Sequence, residues 1–401
     1  MKATLLSVAC VSLLTAHVSA FDLDAFIDQL DEQLRFTAGQ DTFRLRLSGT
    51  LDLELYHFSQ PAPGLISTSA HNLFNPRLTL FADAQAGSSV YFFSQVRIDR
   101  GFDPASAGAR LGADEYALRI TPWRSGVLSI QAGKFATVAG NWVERHLSWD
   151  NPFINSPLPY ENVTAVSDLE PPAPREKLPR ISQKDKYEYL PLIWGPSYAT
   201  GISVAGAISS FDYALELKNS SLSSRPEVWD LTRRGLSNPA VTSHLAFRPN
   251  EGWKLGVSAS EGAYLNEVAQ PLLPAHRTVG DYRQFVLGQD VSFAWRHWQI
   301  WAEAYQVRFE VPRLGDADAL SYYIEAKYKI TPQLFAAIRW NQEFFAKMDD
   351  KTSCGEDTSR IEAAVTYRFT STTQLKVQYS FQDQLLGHNG HTVATQFTVR
   401  F

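Results

Sequence analysis

Polar and charged side chains fall at every second position through much of this 401-residue sequence, alternating with apolar ones. Arg44, Arg46, Asp52 and Glu54 share one parity, and Leu45, Leu47, Leu51, Leu53 and Leu55 hold the other. Followed along the chain, the polar parity collects Arg77, Arg97, Arg119, Lys327, Arg339, Arg360, Arg368 and Lys376. Against them stand acids that include Asp83, Asp99, Glu303, Glu325 and Glu362. Facing rows of opposite charge do not make or break bonds. They orient polar solutes and set a mild ionic bias. Cations slightly outnumber acids on this parity although the whole chain carries −5, which points to a weak anion preference. The plain alternative for any one of these residues is a solvated surface charge.

Bond-making chemistry finds no such support. No G-x-S-x-G, H-E-x-x-H or P-loop pattern is present, so neither a catalytic residue nor a cofactor is expected. His388 and His391 stand three apart, with Asn389 and Gly390 between them. Two ligands on a loop fall short of a usual metal set. His244 lies on the polar parity, away from the apolar face that a membrane-embedded hydrolase would use.

The charged rows require elements of period two. Alternating segments begin near residues 43, 76, 89, 114, 126, 198, 211, 240, 252, 284, 298, 319, 333, 359, 373 and 392, sixteen in all. The last is the clearest: Val393, Thr395, Phe397, Val399 and Phe401 share one face, and Ala394, Gln396, Thr398 and Arg400 the other. A soluble sandwich also alternates. Here the links alternate between short ones, such as Gly87-Ser88, Ser209-Ser210 and Thr331-Pro332, and long ones. The long links are 57–74, 100–113, 138–197, 219–239, 262–281, 310–318, 345–358 and 383–391. An even strand number with short turns at one end and long loops at the other is the pattern of a transmembrane antiparallel β-barrel. Closure is what permits it: in hydrocarbon an unpaired backbone N–H or C=O costs several kcal/mol, and only a ring of strands has no edge. A sixteen-strand ring has room for water inside. Trp123, Phe211, Trp253, Trp298 and Phe369 recur beside the short turns and read as an interfacial aromatic girdle.

Composition removes other classes. No run of about 20 apolar residues exists, which excludes a helical membrane span. Lys and Arg are dispersed and the net charge is −5, which argues against nucleic acid. Residues 1–20 carry Lys2, the apolar run Leu5 to Leu14, and Val18 and Ala20 at a small-residue site, the order of a secretory signal peptide. Cleavage would leave Cys354 as the one cysteine and no intrachain disulfide. The following residues, 21–37, place Leu23, Phe26, Ile27, Leu30 and Leu34 at helical spacing with acids opposite, a short amphipathic helix before the barrel at 43–401. The link 138–197 holds nine prolines together with Trp142, His146, Trp149, Asp150, Phe153 and Tyr160. A link this long is usually functional or disordered. Its ring- and proline-rich part, Trp142 to Tyr160, is expected to be ordered, and the charged stretch Pro171 to Lys186 more mobile.

With the signal segment and the sixteen alternations, the ending Gln396-Phe397-Thr398-Val399-Arg400-Phe401 resembles that of the bacterial outer-membrane porin family. The helix-then-barrel order is similar to that of phosphate-selective channels, without their dense arginine ladder. The resemblance implies an outer-membrane diffusion channel for small hydrophilic solutes and ions, surrounded by lipid and assembled as a homotrimer. It implies that Phe401 is read by the barrel-assembly machinery. It also implies that the long link, with Trp142, His146, Trp149, Asp150, Phe153 and Tyr160, folds inward as a constriction; a cap over the outer mouth is the alternative. A substrate-specific channel for a sugar or an oxyanion such as phosphate, or a barrel with no transport role, are the competing readings.

Overall fold

The computed structural model describes residues 23–40, 42–59, 61–66, 68–99, 110–172, 186–232, 235–348 and 353–401. The expected signal segment, 1–20, lies outside them.

A helix, α1 (Leu23–Gln33), leads into a short strand, β1 (Arg35–Ala38). Sixteen barrel strands follow. They are β2 (Phe43–Phe58), β3 (Asn72–Ala86), β4 (Val90–Asp99), β5 (Arg110–Ile120), β6 (Ser129–Lys134), β7 (Thr200–Ile208), β8 (Phe211–Lys218) and β9 (Ala240–Asn250). The second half comprises β10 (Trp253–Ala263), β11 (Arg283–Trp295), β12 (Trp298–Val311), β13 (Gly315–Lys329), β14 (Leu334–Phe345), β15 (Thr358–Arg368), β16 (Thr373–Leu385) and β17 (His388–Arg400). Each pairs antiparallel with its chain neighbours. The ring closes where β17 meets β2, with Thr392 opposite Phe58 and Arg400 opposite Thr50. Every ladder therefore has a partner on both sides, as a lipid environment demands.

Alternation is realised inside out. On β2, Leu55 is 57% exposed while its neighbour Glu54 is fully buried. The apolar parity faces outward and the polar parity faces the interior. The girdle residues Trp123, Phe211, Trp253, Trp298 and Phe369 are all exposed near the short-turn end. Three of them lean on outward-facing rings of adjacent strands, Phe211 on Phe247, Trp253 on Phe293 and Trp298 on Tyr328.

The closing seam explains the terminal residue. Gly49 and Phe401 exchange backbone hydrogen bonds at 2.9 and 3.0 Å. A Cβ on Gly49 would come within 2.6 Å of the Phe401 ring. The last ring therefore rests on a position that only glycine can fill.

Three boundaries differ from the sequence reading. The helix ends at Gln33 rather than 37, because Arg35–Ala38 pairs with Phe43–Arg46 of β2, along an edge that β17 does not reach. The turn between them uses Gly39 and Gln40, both at positive φ (61° and 55°). The links 310–318 and 383–391 are not long loops. β12 and β13 continue to a tight turn over Pro312–Leu314, and β16 and β17 to one at Leu386-Gly387, so strand pairing takes up what was expected as loop. Positive φ at Arg313 and Gly315, and at Leu386 and Gly387, makes these turns; Pro312, Gly315 and Gly387 are turn residues, Arg313 and Leu386 are not.

Candidate functional site

The interior is where the polar parity converges, and the long link occupies it. Strand β6 ends at Lys134 and β7 begins at Thr200; the described part of the chain between them, 135–172 and 186–199, turns into the barrel. It touches inward-facing side chains from the short-turn end to the long-loop end. Near the short turns Arg368 donates to the Trp149 carbonyl at 3.4 Å. Near the opposite end Asn162 donates to Glu343 at 3.1 Å. The segment is therefore an insert within the lumen, not a cap above it.

Its anchors form a network of buried charge. Glu325 accepts from Arg145 of the insert at 2.6 Å and from Arg339 at 3.3 Å. Arg339 also meets Glu362 at 2.5 Å and donates to the carbonyl of Asn155 at 2.8 Å. Arg360 bridges Glu362 at 3.3 Å and Glu161 of the insert at 2.5 Å. Lys376 donates to the carbonyls of Ser148, Asn151 and Phe153 at 3.0, 2.8 and 3.3 Å. Buried charges persist only when paired and hydrogen-bonded in this way.

Glu303 organises the entry of the insert. Its carboxylate accepts from the backbone N–H groups of Asn141 and Trp142, the latter at 2.7 Å, and from the Tyr160 hydroxyl at 2.7 Å. Gly140 makes this approach possible. Its φ is +76°, and a Cβ there would lie 2.0 Å from the Tyr305 hydroxyl and 2.5 Å from Glu303. Trp142 packs on Tyr160 at 4.4 Å between ring centres. Phe153 lies under the Arg339 guanidinium, 4.3 Å from its carbon. Most large buried apolar side chains, Trp194, Tyr198 and Ile193 among them, belong to this insert and to the outer ends of β11–β13.

Burial sets the charge state of the insert. It pushes His146 down to about 4 from the ordinary 6.5. The neutral ring fits its bonds: Nδ1 donates to the Val143 carbonyl at 2.6 Å, and Nε2 accepts from the Tyr198 hydroxyl at 2.5 Å. Burial likewise raises the Glu161 carboxyl, outweighing the pull of Arg360. Lys186 is pushed down to about 7. It donates to the carbonyls of Ala62, at 2.9 Å, and Ile66, tying the insert to the loop after β2. Of the stretch expected to be mobile, 173–185 lie outside the described residues, and Lys186 itself is buried.

The remaining space lies on the other side. A cavity of about 170 Å³ separates the insert from the wall of β2–β4. Thr50, Asn75, Arg77 and Arg97 line it from the wall, and His146, Asn151 and Tyr160 from the insert. Charges on this wall pair among themselves. Arg77 meets Glu54 at 2.7 Å and Asp99 at 3.3 Å, and Arg97 meets Asp99 at 3.4 Å and Asp114 at 3.1 Å.

The residues singled out in the sequence thus separate into three groups. Glu303, Glu325, Arg339, Arg360 and Lys376 face inward but are covered by the insert. Arg77 and Arg97 border the cavity, and Arg119 donates to Gln131 at 2.7 Å on an adjoining strand. Arg44, Arg46, Lys327 and Arg368 lie toward the short-turn mouth, where Arg46 pairs with Asp31 of α1 at 3.2 Å. Of the insert residues, Trp142, Phe153 and Tyr160 are buried against the barrel, Trp149 sits near the inner mouth, and Asp150 is exposed. Gly140, Asn141, Arg145, Asn155 and Glu161 carry the docking and were not marked by sequence. A charge in a long link normally signals solvent, and nothing local tells Arg145 from its neighbours.

No family model matches the sequence, and no curated protein does. Solved structures match the fold. OmpF of Salmonella typhi, solved with daunomycin, is 12% identical, with a TM-score of 0.58 over 91% of this chain and 100% of that one. An anion-selective porin from Comamonas acidovorans is 10% identical, with a TM-score of 0.57 over 90% of this chain and 100% of its own. The channel DcaP of Acinetobacter baumannii is 11% identical, with a TM-score of 0.54 over 91% and 99%. This chain has the fold of outer-membrane porins.

Proposed function

We propose that the protein is an outer-membrane channel that passes small hydrophilic solutes by diffusion, without a catalytic step. The observation that carries this reading is the closed ring with an apolar exterior and a polar interior that the insert fills on one side only. The path runs off-centre, between the Trp142–Tyr160 stretch and the β2–β4 wall. Sites for drug-sized ligands measure about 300–1,000 Å³; a space of about 170 Å³ suits smaller solutes. Paired charges on the path wall orient a polar solute without strong ion exclusion, and the unpaired cations nearer the inner mouth give a weak anion preference. Stable single-channel conductance in a planar bilayer, with a reversal potential in a salt gradient displaced toward anions, tests both parts. Absence of conductance removes the channel, and cation preference removes the anion bias.

We also propose assembly as a homotrimer, which the shape of the wall supports. β6, β7 and β8 have 6, 9 and 8 residues, against 16 in β2 and 15 in β13. A membrane strand needs about 9–11. Their outward side chains Ile130, Ile202 and Leu215 are apolar and exposed. Neighbouring copies would cover this low wall, an arrangement in keeping with the trimer form solved for OmpT of Vibrio cholerae. Ile202→Lys with Leu215→Lys should convert an unheated trimer band to monomer; an unchanged band contradicts the interface. The seam residue Phe401 remains the proposed signal to the barrel-assembly machinery.

A further inference from the structure

The inner mouth holds cations that the rest of the barrel does not explain. Elsewhere among the described residues Arg77, Arg97, Arg145, Arg339 and Arg360 each meet a carboxylate, while Lys376 is saturated by carbonyls and Arg119 bonds to Gln131. Among the same residues Arg368, Arg400 and Lys327 meet no carboxylate. Arg368 ends β15 and Arg400 ends β17, and both guanidinium groups lie over the Trp149 ring of the insert, their carbons 4.9 and 4.1 Å from its centre. Arg368 and Lys327 also share the Phe335 ring, at 5.0 and 4.8 Å.

Their hydrogen bonds leave capacity unused. Arg400 donates through Nε to the Ser371 carbonyl at 2.9 Å. Arg368 makes long bonds of 3.4 Å to Gln374 and to the Trp149 carbonyl. Asp150, exposed, is the acid whose charge reaches all three, and it pairs with none of them. Rings fix the position of the cations without neutralising them. Like charges gathered this way, partly out of water, favour an anion between or beside them. Guanidinium forks match the geometry of an oxyanion.

We propose that Arg368, Arg400 and Lys327, set around Trp149 at the inner mouth, form a docking site for a small oxyanion. The site adjoins the open path, because Arg400 stands opposite Thr50, which lines the cavity. As a station for permeating solutes it rests on the channel reading; as a binding site it does not.

The test is equilibrium dialysis of radiolabelled inorganic phosphate against the detergent-solubilised full chain, which requires no conductance. Saturable binding is expected, weakened at least about tenfold in Arg368→Gln/Arg400→Gln through loss of charge-assisted hydrogen bonds. Arg368→Lys/Arg400→Lys should recover part of it. The single variant Arg400→Gln, at an exposed strand end, should weaken binding in the same direction without disturbing the fold. Acetate should compete with phosphate. Absence of saturable binding, full affinity in the Gln variants, or equal competition by chloride at matched ionic strength overturns the site. A protein that binds phosphate yet carries no current keeps the site and loses the channel.

Discussion

The two sides of the lumen use the same residue types for different ends. On the β12–β16 side, Glu303, Glu325, Arg339, Arg360 and Lys376 are buried and bonded to the insert. On the β2–β4 side, Arg77, Arg97 and Asp99 line the cavity, pairing with one another and with the buried Glu54 rather than with the insert. A row of lumen charges is therefore not one functional surface. Where the chain supplies a complementary segment the row becomes a clamp, and where it does not the row pairs within itself beside a cavity.

The largest effect that would separate the two sides is removal of residues 143–160. Single-channel conductance should rise several-fold, because the insert leaves the anchored wall bare; unchanged conductance would mean that the segment does not restrict the path. Next comes Glu325→Ala, which strands Arg145 and leaves Arg339 with Glu362 alone. Breaking a buried pair from one side costs about 3–5 kcal/mol, so thermal unfolding in detergent should drop clearly and channel current should become noisy. Gly140→Ala should act in the same direction and less strongly, since its Cβ would displace the Tyr305 hydroxyl and Glu303. A conductance trace identical to that of the parent would contradict this.

Acid provides a finer test. His146 has a folded pKa of about 4, below the ordinary 6.5, so the unfolded chain binds the extra proton first as pH falls. The stability of the docked insert from this group is complete above about 6.5 and declines toward about 4. Protonation also costs the ring its role as acceptor from Tyr198. The fall in melting temperature between these pH values should be smaller in His146→Gln than in the parent; equal slopes would remove the histidine from the effect. The smallest change is expected for Arg77→Gln on the open wall. Reversal potential should move toward cations while melting temperature stays near that of the parent, because Arg77 is partly solvated and its acids keep other partners.

How far the sequence went divides along the same line. The strands were legible because each alternates between two solvents, lipid and water, and a shift by one residue would turn Leu55 inward and Glu54 outward. All sixteen barrel segments appear, each beginning within about four residues of where the alternation placed it, and the girdle rings mark the short-turn end. The two tight outer hairpins differ from the sequence reading because Arg313 and Leu386 take the left-handed backbone beside the glycines Gly315 and Gly387, so each turn is compressed to two or three residues where a longer loop was expected. The insert was visible as a long, ring-rich link, but its partners were not. Arg145 finds Glu325 and Glu161 finds Arg360 across about 200 residues, at 180 and 199. No local period encodes such a pairing; only the closed ring brings those side chains together.

Substituted-cysteine accessibility in a planar bilayer probes the off-centre path most directly, since native Cys354 is buried. Asn75→Cys places a thiol on the open wall and Ser380→Cys on the anchored wall. A small charged methanethiosulfonate reagent should step the current down in Asn75→Cys and leave Ser380→Cys unchanged. Block in Ser380→Cys with none in Asn75→Cys would put the passage on the opposite side and contradict the division of the lumen described above.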